Sequence, residues 1–180
     1  MFLIQMSGYP GSGKSTLAKE ISKHTGAVIV DHDVVKSALM DMPGTMNSTI
    51  EPKELGGLSY HIEWSLVNFH LSLGQSVIFD SPCMYNEHLE KGIRISRKYE
   101  AQYKYIECFL NDFEELDRRL KTRERRISQI SEMPALMKST FKLTIENSKS
   151  QRPTDSGFLI VDTSQPLDSY IENVISYIIE

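Results

Sequence analysis

Short apolar runs alternate along the chain with longer stretches in which apolar residues recur at helical spacing. Residues 2–6, 27–30, 75–80, 103–110 and 158–162 have the length and composition of strands. Between them, Leu17, Ala18 and Ile21 form one helical stripe, stopped by Gly26. A short helix is predicted over 34–40. Another is predicted over 58–73, with Ile62, Leu66, Phe69 and Leu73 near one face and Gly74 as its stop. Further helices are predicted over 85–99 and over 133–149, where Leu136, Phe141 and Ile145 are available to a core. A terminal helix carries Leu167, Ile171, Val174, Ile175 and Ile178. Residues 41–57 hold Pro43-Gly44, Asn47-Ser48-Thr49, Pro52 and Gly56-Gly57, a run of breakers too long for a plain connection. Such a segment either covers a site or is a loop without contact to one. The alternation of strand and helix predicts an α/β fold: a five-stranded parallel sheet with helices on both faces, its ligand residues at the C-terminal strand ends.

With 180 residues, 40% hydrophobic and 24% charged, the chain has material for one core, and residues 1–180 read as one domain. The net charge of −4 supplies no global attraction to nucleic acid or to an anionic membrane, so any polyanion contact must be local. Cys83 and Cys108 stand in no C-x-x-C or Cys/His pattern, which argues against a disulfide framework or structural zinc. No stretch approaches membrane-spanning length. The N-terminal apolar run is too short for a signal h-region and has no basic flank, so a cytoplasmic location is expected.

The most specific chemistry lies directly after the first strand. Gly8-Tyr9-Pro10-Gly11-Ser12-Gly13-Lys14-Ser15-Thr16 fits G-x-x-x-x-G-K-[ST] at every fixed position, between a strand and a helix as that motif requires. Its glycines, Gly8, Gly11 and Gly13, let backbone N–H groups turn inward, and with Ser12 and the helix start they cradle phosphate oxygens. Lys14 reaches the β/γ-phosphates, Ser15 sets its hydroxyl on Mg²⁺, and Thr16 adds a hydroxyl near the α-phosphate.

Other candidates end later strands. Asp33, in Asp31-His32-Asp33, is placed to orient or deprotonate an attacking hydroxyl, with Lys36 available to an anionic group on the acceptor. Either Asp also serves as a helix cap. Asp80 ends the third strand as a Walker B carboxylate does, organising Mg²⁺ through water or binding substrate. Residues 114–126 are the densest basic segment. Arg119 and Arg123 lie four apart on one predicted helix face, and the stretch around 114–130 reads as a lid over the phosphates. His61 and His70 are nine apart, not at metal-ligand spacing, and read with Tyr60 and Trp64 as packing or rim residues. Residues 163–166 lie where a nucleotide base could rest. Leu71-Ser72-Leu73-Gly74-Gln75 approaches the L-S-G-G-Q signature of ABC transporters but lacks its middle glycine and closes a helix rather than opening one.

Taken with the phosphate loop, Asp31-His32-Asp33-Val34-Val35-Lys36 resembles the D-x-x-R element of polynucleotide kinases, with Lys36 in the arginine position, and residues 115–123 resemble the lid helix. The chain is similar nearly end to end to the small P-loop kinases that include polynucleotide kinase, zeta-toxin kinases and chloramphenicol phosphotransferase, sometimes described as an AAA-type ATPase domain. The resemblance implies a P-loop NTPase three-layer sandwich, ATP and Mg²⁺ as cofactors, Asp33 as general base, and Arg123, with Arg119, as lid arginines. It implies an ATP:alcohol phosphotransferase whose acceptor is a small molecule, a nucleoside or a nucleic-acid end. Lysine lacks the bidentate fork of arginine, so Lys36 disfavours a nucleic-acid end. The rival is an ATP-hydrolysing switch acting through a protein partner. With no N-K-x-D base-reading motif, a GTPase is disfavoured.

Overall fold

Period-two alternation along β1 (Phe2–Ser7) sends Ile4 and Met6 to one side of a sheet and Leu3 and Gln5 to the other, all of them buried. The computed structural model describes residues 1–42, 52–83, 85–135, 152–154 and 157–180. Around β1 lie β2 (Val28–Asp31), β3 (Val77–Asp80), β4 (Gln102–Phe109) and β5 (Phe158–Asp162), in the order β2-β3-β1-β4-β5 and all parallel. Because β1 has a neighbour from a later part of the chain on each side, the loop that follows it opens into the crevice of the sheet. The β2–β3 register places Asp31 directly beside Asp80, so two strands deliver carboxylates to that crevice at the same level.

On one face, α1 (Lys14–Thr25) and α6 (Ile171–Ile179) cover the sheet, with Leu17, Ala18, Ile21, Val174 and Ile178 packed on Ile4, Met6, Ile78 and Ile106. On the other, α3 (Pro52–Ser72) and α4 (Asn86–Lys98) bring Trp64, Val67, Leu71 and Ile95 onto Leu3, Val77 and Phe79. A smaller cluster of Leu110, Leu116, Leu120 and Met133 seats α5 (Phe113–Thr122) at the ligand end of the sheet. A 3₁₀ turn at Leu167–Ser169 leads into α6.

The termini of these helices have local causes. Gly26 takes φ 69° and donates its N–H to the Ser22 carbonyl at 2.8 Å, closing α1 in the left-handed conformation that glycine adopts without strain. Asp31 caps α2 (His32–Asp41), its Oδ1 accepting from the N–H of Asp33 at 2.8 Å and of Val34 at 3.2 Å. Of the two acidic residues considered for this cap, Asp31 fills it, and Asp33 sits inside the first turn. Asp112 caps α5 in the same way through the Glu115 N–H.

Three features differ from expectation. The helix predicted over 58–73 begins at Pro52, taking in residues read as breakers. Proline at a first helical position lacks only an N–H that would have no helical partner, and β-carbons added at Gly56 or Gly57 would meet nothing within 4 Å. The basic helix ends at Thr122, leaving Arg123 as its C-cap rather than a second residue on its face. There the chain turns back so that Met133 reaches Leu116 and Leu120 and its N–H donates to Asp117 Oδ1 at 2.9 Å. Finally, the apolar stripe of Ile62, Leu66, Phe69 and Leu73 faces solvent, while Trp64, Val67 and Leu71 face the sheet. Residues 136–149 of the helix predicted over 133–149, and residues 43–51 of the breaker run, lie outside the described residues.

Candidate active site

The loop between β1 and α1 is bent by three glycines at positive φ: Gly8 at 131°, Gly11 at 84° and Gly13 at 91°. A side chain on Gly8 would collide with the Cys108 carbonyl oxygen and stand 2.6 Å from Ser12 Oγ, so the loop packs on β4 only because this position has none. Gly13 is the N-cap of α1, and no side chain caps that helix or places an acid in its first turn. Its first N–H groups and the positive end of its dipole are therefore left for an anion.

A cleft of about 1370 Å³ opens over this helix start. Gly11, Gly13, Lys14, Ser15, Thr16, Asp33, Lys36, Asp80, Arg119 and Arg123 all line it, while Gly8 and the buried Ser12 of the same loop do not. Residues distributed from position 11 to position 123 thus converge on one space.

The Lys14 ammonium donates to the carbonyl oxygens of Gly8 at 2.8 Å and Tyr9 at 2.9 Å. Burial lowers its pKa, and the charges of Asp80 and Asp33 oppose that shift. Asp80 is only 4% exposed, and its Oδ2 is buried with no hydrogen-bond partner. Burial pushes its carboxyl up to about 6, against a hydrogen bond with Ser15 and the Lys14 charge, which lower it. An orphaned carboxylate oxygen beside a hydroxyl at the foot of an anion cradle fits a hard cation. Magnesium draws most of its six ligands from water and phosphate and needs few from protein. Among the described residues, no group of three or more His, Cys, Asp or Glu forms a denser cage.

Across the cleft, Asp33 Oδ2 accepts from Gln129 Nε2 at 2.7 Å, and its backbone carbonyl accepts from Ser128 Oγ at 3.2 Å. Ser128 also meets Ser37 Oγ at 2.8 Å, so the segment after α5 is tied to the first turns of α2. Arg123 donates through Nη2 to the Ile130 carbonyl at 3.1 Å, and its Nε is buried with no partner. Burial lowers its pKa and the Asp33 charge opposes the shift. Arg119 has a different engagement: Nε donates to Glu115 Oε1 at 2.8 Å and Nη2 to the Thr163 carbonyl at 2.8 Å. Hydrogen bonds from Arg118 and then Arg119 hold the Glu115 carboxyl down at about 2. Arg119 therefore joins α5 to the loop after β5, at the end of the cleft lined by Gln165, Leu167 and Tyr170. Lys36 is half-buried on α2 and lines the same cleft.

Sequence reading missed Gln129 and Ser128, and it missed His32. The His32 ring is 8% exposed, with Nδ1 2.9 Å and 3.2 Å from the two oxygens of the fully buried Glu63, and it stacks on Tyr60 with centroids 4.4 Å apart. This pair anchors the start of α2 to α3. The only signal in the chain was a lone carboxylate inside an apolar helical stretch, Glu63 between Ile62 and Trp64.

A family model described as an AAA domain matches residues 3–144. Among solved structures, the chain is similar to a protein of Chloroflexus aurantiacus J-10-fl assigned as a kinase, at 18% identity and a TM-score of 0.73, covering 98% of this chain and 97% of the other. It is similar to a sugar kinase from Janibacter sp. HTCC2649, at 16% identity and a TM-score of 0.65 over 98% and 94%. It is also similar to a gluconokinase from Sinorhizobium meliloti 1021, at 12% identity and a TM-score of 0.60 over 99% and 91%. The fold is that of P-loop kinases, as the motif and the strand alternation predicted. No curated protein matches the sequence.

Proposed function

The chain belongs to the AAA-domain family, and from that premise we propose that it is an ATP-dependent phosphotransferase acting on a hydroxyl of a small molecule. The observation that carries this reading is the meeting of Lys14, Asp33, Asp80 and Arg123 over one helix N-terminus, with Lys14 close enough to feel the charge of the other three. A site for hydrolysis through a partner needs the cradle and the metal ligands. It does not need a second carboxylate facing them from α2.

In the proposed reaction the loop N–H groups and Lys14 hold the β- and γ-phosphates of ATP. The acceptor hydroxyl is aligned by Asp33, whose free carboxylate oxygen takes its proton as the oxygen attacks the γ-phosphorus and the bond to the β,γ-bridging oxygen breaks. Gln129 holds the other oxygen of Asp33 and so fixes the direction of the carboxylate. Arg123 has a desolvated guanidinium nitrogen with no partner, suited to the charge that grows on the transferring group. Arg119 and the Thr163 loop border the nucleotide base. Ser15 and Asp80 would hold Mg²⁺, which shields the β- and γ-phosphate charge when bound. The acceptor side is open to sugars and sugar acids, the compounds named for two structural neighbours, with Lys36 available to an anionic group.

The test is transfer from γ-labelled ATP to a panel of monosaccharides, sugar acids and nucleosides. A labelled organic phosphate is expected. Labelled orthophosphate alone, over a broad panel, would point to the hydrolytic switch. Asp33→Ala should leave ATP affinity within a few-fold and lower transfer by about 10²–10⁴-fold, the usual contribution of a general base. Unchanged turnover would remove Asp33 from the chemistry.

A further inference from the structure

The outer face of α3 carries Leu58, Ile62, Leu66 and Phe69, and Leu73 just past its end continues the line, each between 38% and 59% exposed. Their spacing of three and four residues puts them in one line, and fifteen residues of helix make it about 22 Å long. An exposed band of this kind is not scattered surface hydrophobicity, which occurs singly.

We propose that this face is the two-fold interface of a homodimer, with α3 packing antiparallel on its own copy. Two observations select a second copy over other occupants. The first is charge. In a chain that is 24% charged, residues 58–73 contain one charged side chain, Glu63, and it is buried against His32 on the inner side. The polar members of the exposed face are His61, Ser65 and Ser72. Near the two-fold axis of an isologous contact each group meets its own twin, so a fixed charge there would meet a like charge, and the exposed face over residues 58–73 presents none. The net charge of −4 opposes docking on an anionic bilayer.

The second is area. At the exposures given, the five side chains offer about 450 Å² of apolar surface per protomer, close to the non-polar share of an interface burying ~800 Å² a side. That is the size of a stable, specific contact. Leu66 lies midway between Leu58 and Leu73 and falls nearest the two-fold axis.

Sedimentation velocity of the full chain at tens of micromolar is expected to give twice the 20.6 kDa chain mass. The variant carrying Leu66→Asp and Phe69→Asp is expected at the single-chain mass, with an unchanged far-UV spectrum. Leu66→Cys supplies an independent reading should that variant misfold. Mild oxidation should link it to its own copy, whereas Glu172→Cys, an exposed control on α6, should not link; Cys83 and Cys108 are buried and contribute no background. A monomeric wild type at all concentrations, a dimer indifferent to the two aspartates, or a monomer that instead co-sediments with phosphatidylcholine vesicles would each overturn the assignment.

Discussion

Burial of Asp80 sets a conflict between stability and metal binding at a single carboxyl group. Its pKa of about 6 lies above the ordinary 3.8, so the folded chain holds this proton more tightly than the unfolded chain. The stabilisation that follows is complete below the unfolded value and is lost as pH rises through about 6; at pH 7.5 the loss is about 3 kcal/mol. Asp80→Asn removes the charge while keeping the shape. Urea unfolding of the ligand-free protein should therefore show the variant more stable than the wild type by about 1–3 kcal/mol at pH 7.5, with little difference at pH 4. Transfer activity should fall by about 10²-fold or more, since in the proposed reaction the orphaned Oδ2 is the oxygen that would meet Mg²⁺. A variant destabilised at pH 7.5 would show that Asp80 is held ionised by partners other than those seen.

At the scale of elements, α2 and α3 are stabilised by different means. The Asp31 cap serves two N–H donors at the start of α2, and its removal in Asp31→Ala should cost about 1 kcal/mol. In α3, Gly57 is exposed inside the helix with open space where a β-carbon would go. Gly57→Ala should raise stability by about 0.5–1 kcal/mol, through the lower entropy of the unfolded chain, and leave transfer unchanged. Thermal or urea unfolding reads both. The contrast with Gly8 is steric and conformational: there φ is 131° and the Cys108 carbonyl occupies the space, so an added methyl group must displace the loop. Two glycines in one chain thus have opposite expected responses to alanine, and the backbone angle together with the neighbouring atom decides the sign.

For the whole molecule, ligand binding should appear as folding stability. A nucleotide held in the folded cleft at a hundred times its Kd adds about 2.7 kcal/mol, which for a chain of this size raises the Tm by roughly 5–10 °C. MgATP is expected to give that shift, ATP with a chelator a smaller one, and Asp80→Asn should abolish the difference between them. A shift independent of Mg²⁺ would detach Ser15 and Asp80 from the metal. The measurement is made at fixed protein concentration, because a dimer also stabilises by mass action. Among the described residues no helix is long and apolar enough to cross a membrane.

The sequence by itself determined the phosphate loop, the strand alternation and the identity of most cleft residues, because these depend on chemistry that is local along the chain. Glycine permits positive φ wherever it stands, and an Asp at the end of a buried strand emerges at the ligand end of a parallel sheet. Tertiary structure decided what depends on separation. Gln129 reaches Asp33 across 96 residues and His32 meets Glu63 across 31, and no periodicity encodes either contact. Arg119 and Arg123, one turn apart in the sequence, have separate partners because α5 ends between them and the Thr163 loop closes on one. The orientation of α3 was equally hidden. That helix is apolar on two sides, so helical spacing alone could not choose the side that meets the sheet. Trp64, Val67 and Leu71 fit against Leu3 and Phe79, and that packing turned Leu58, Ile62, Leu66, Phe69 and Leu73 outward.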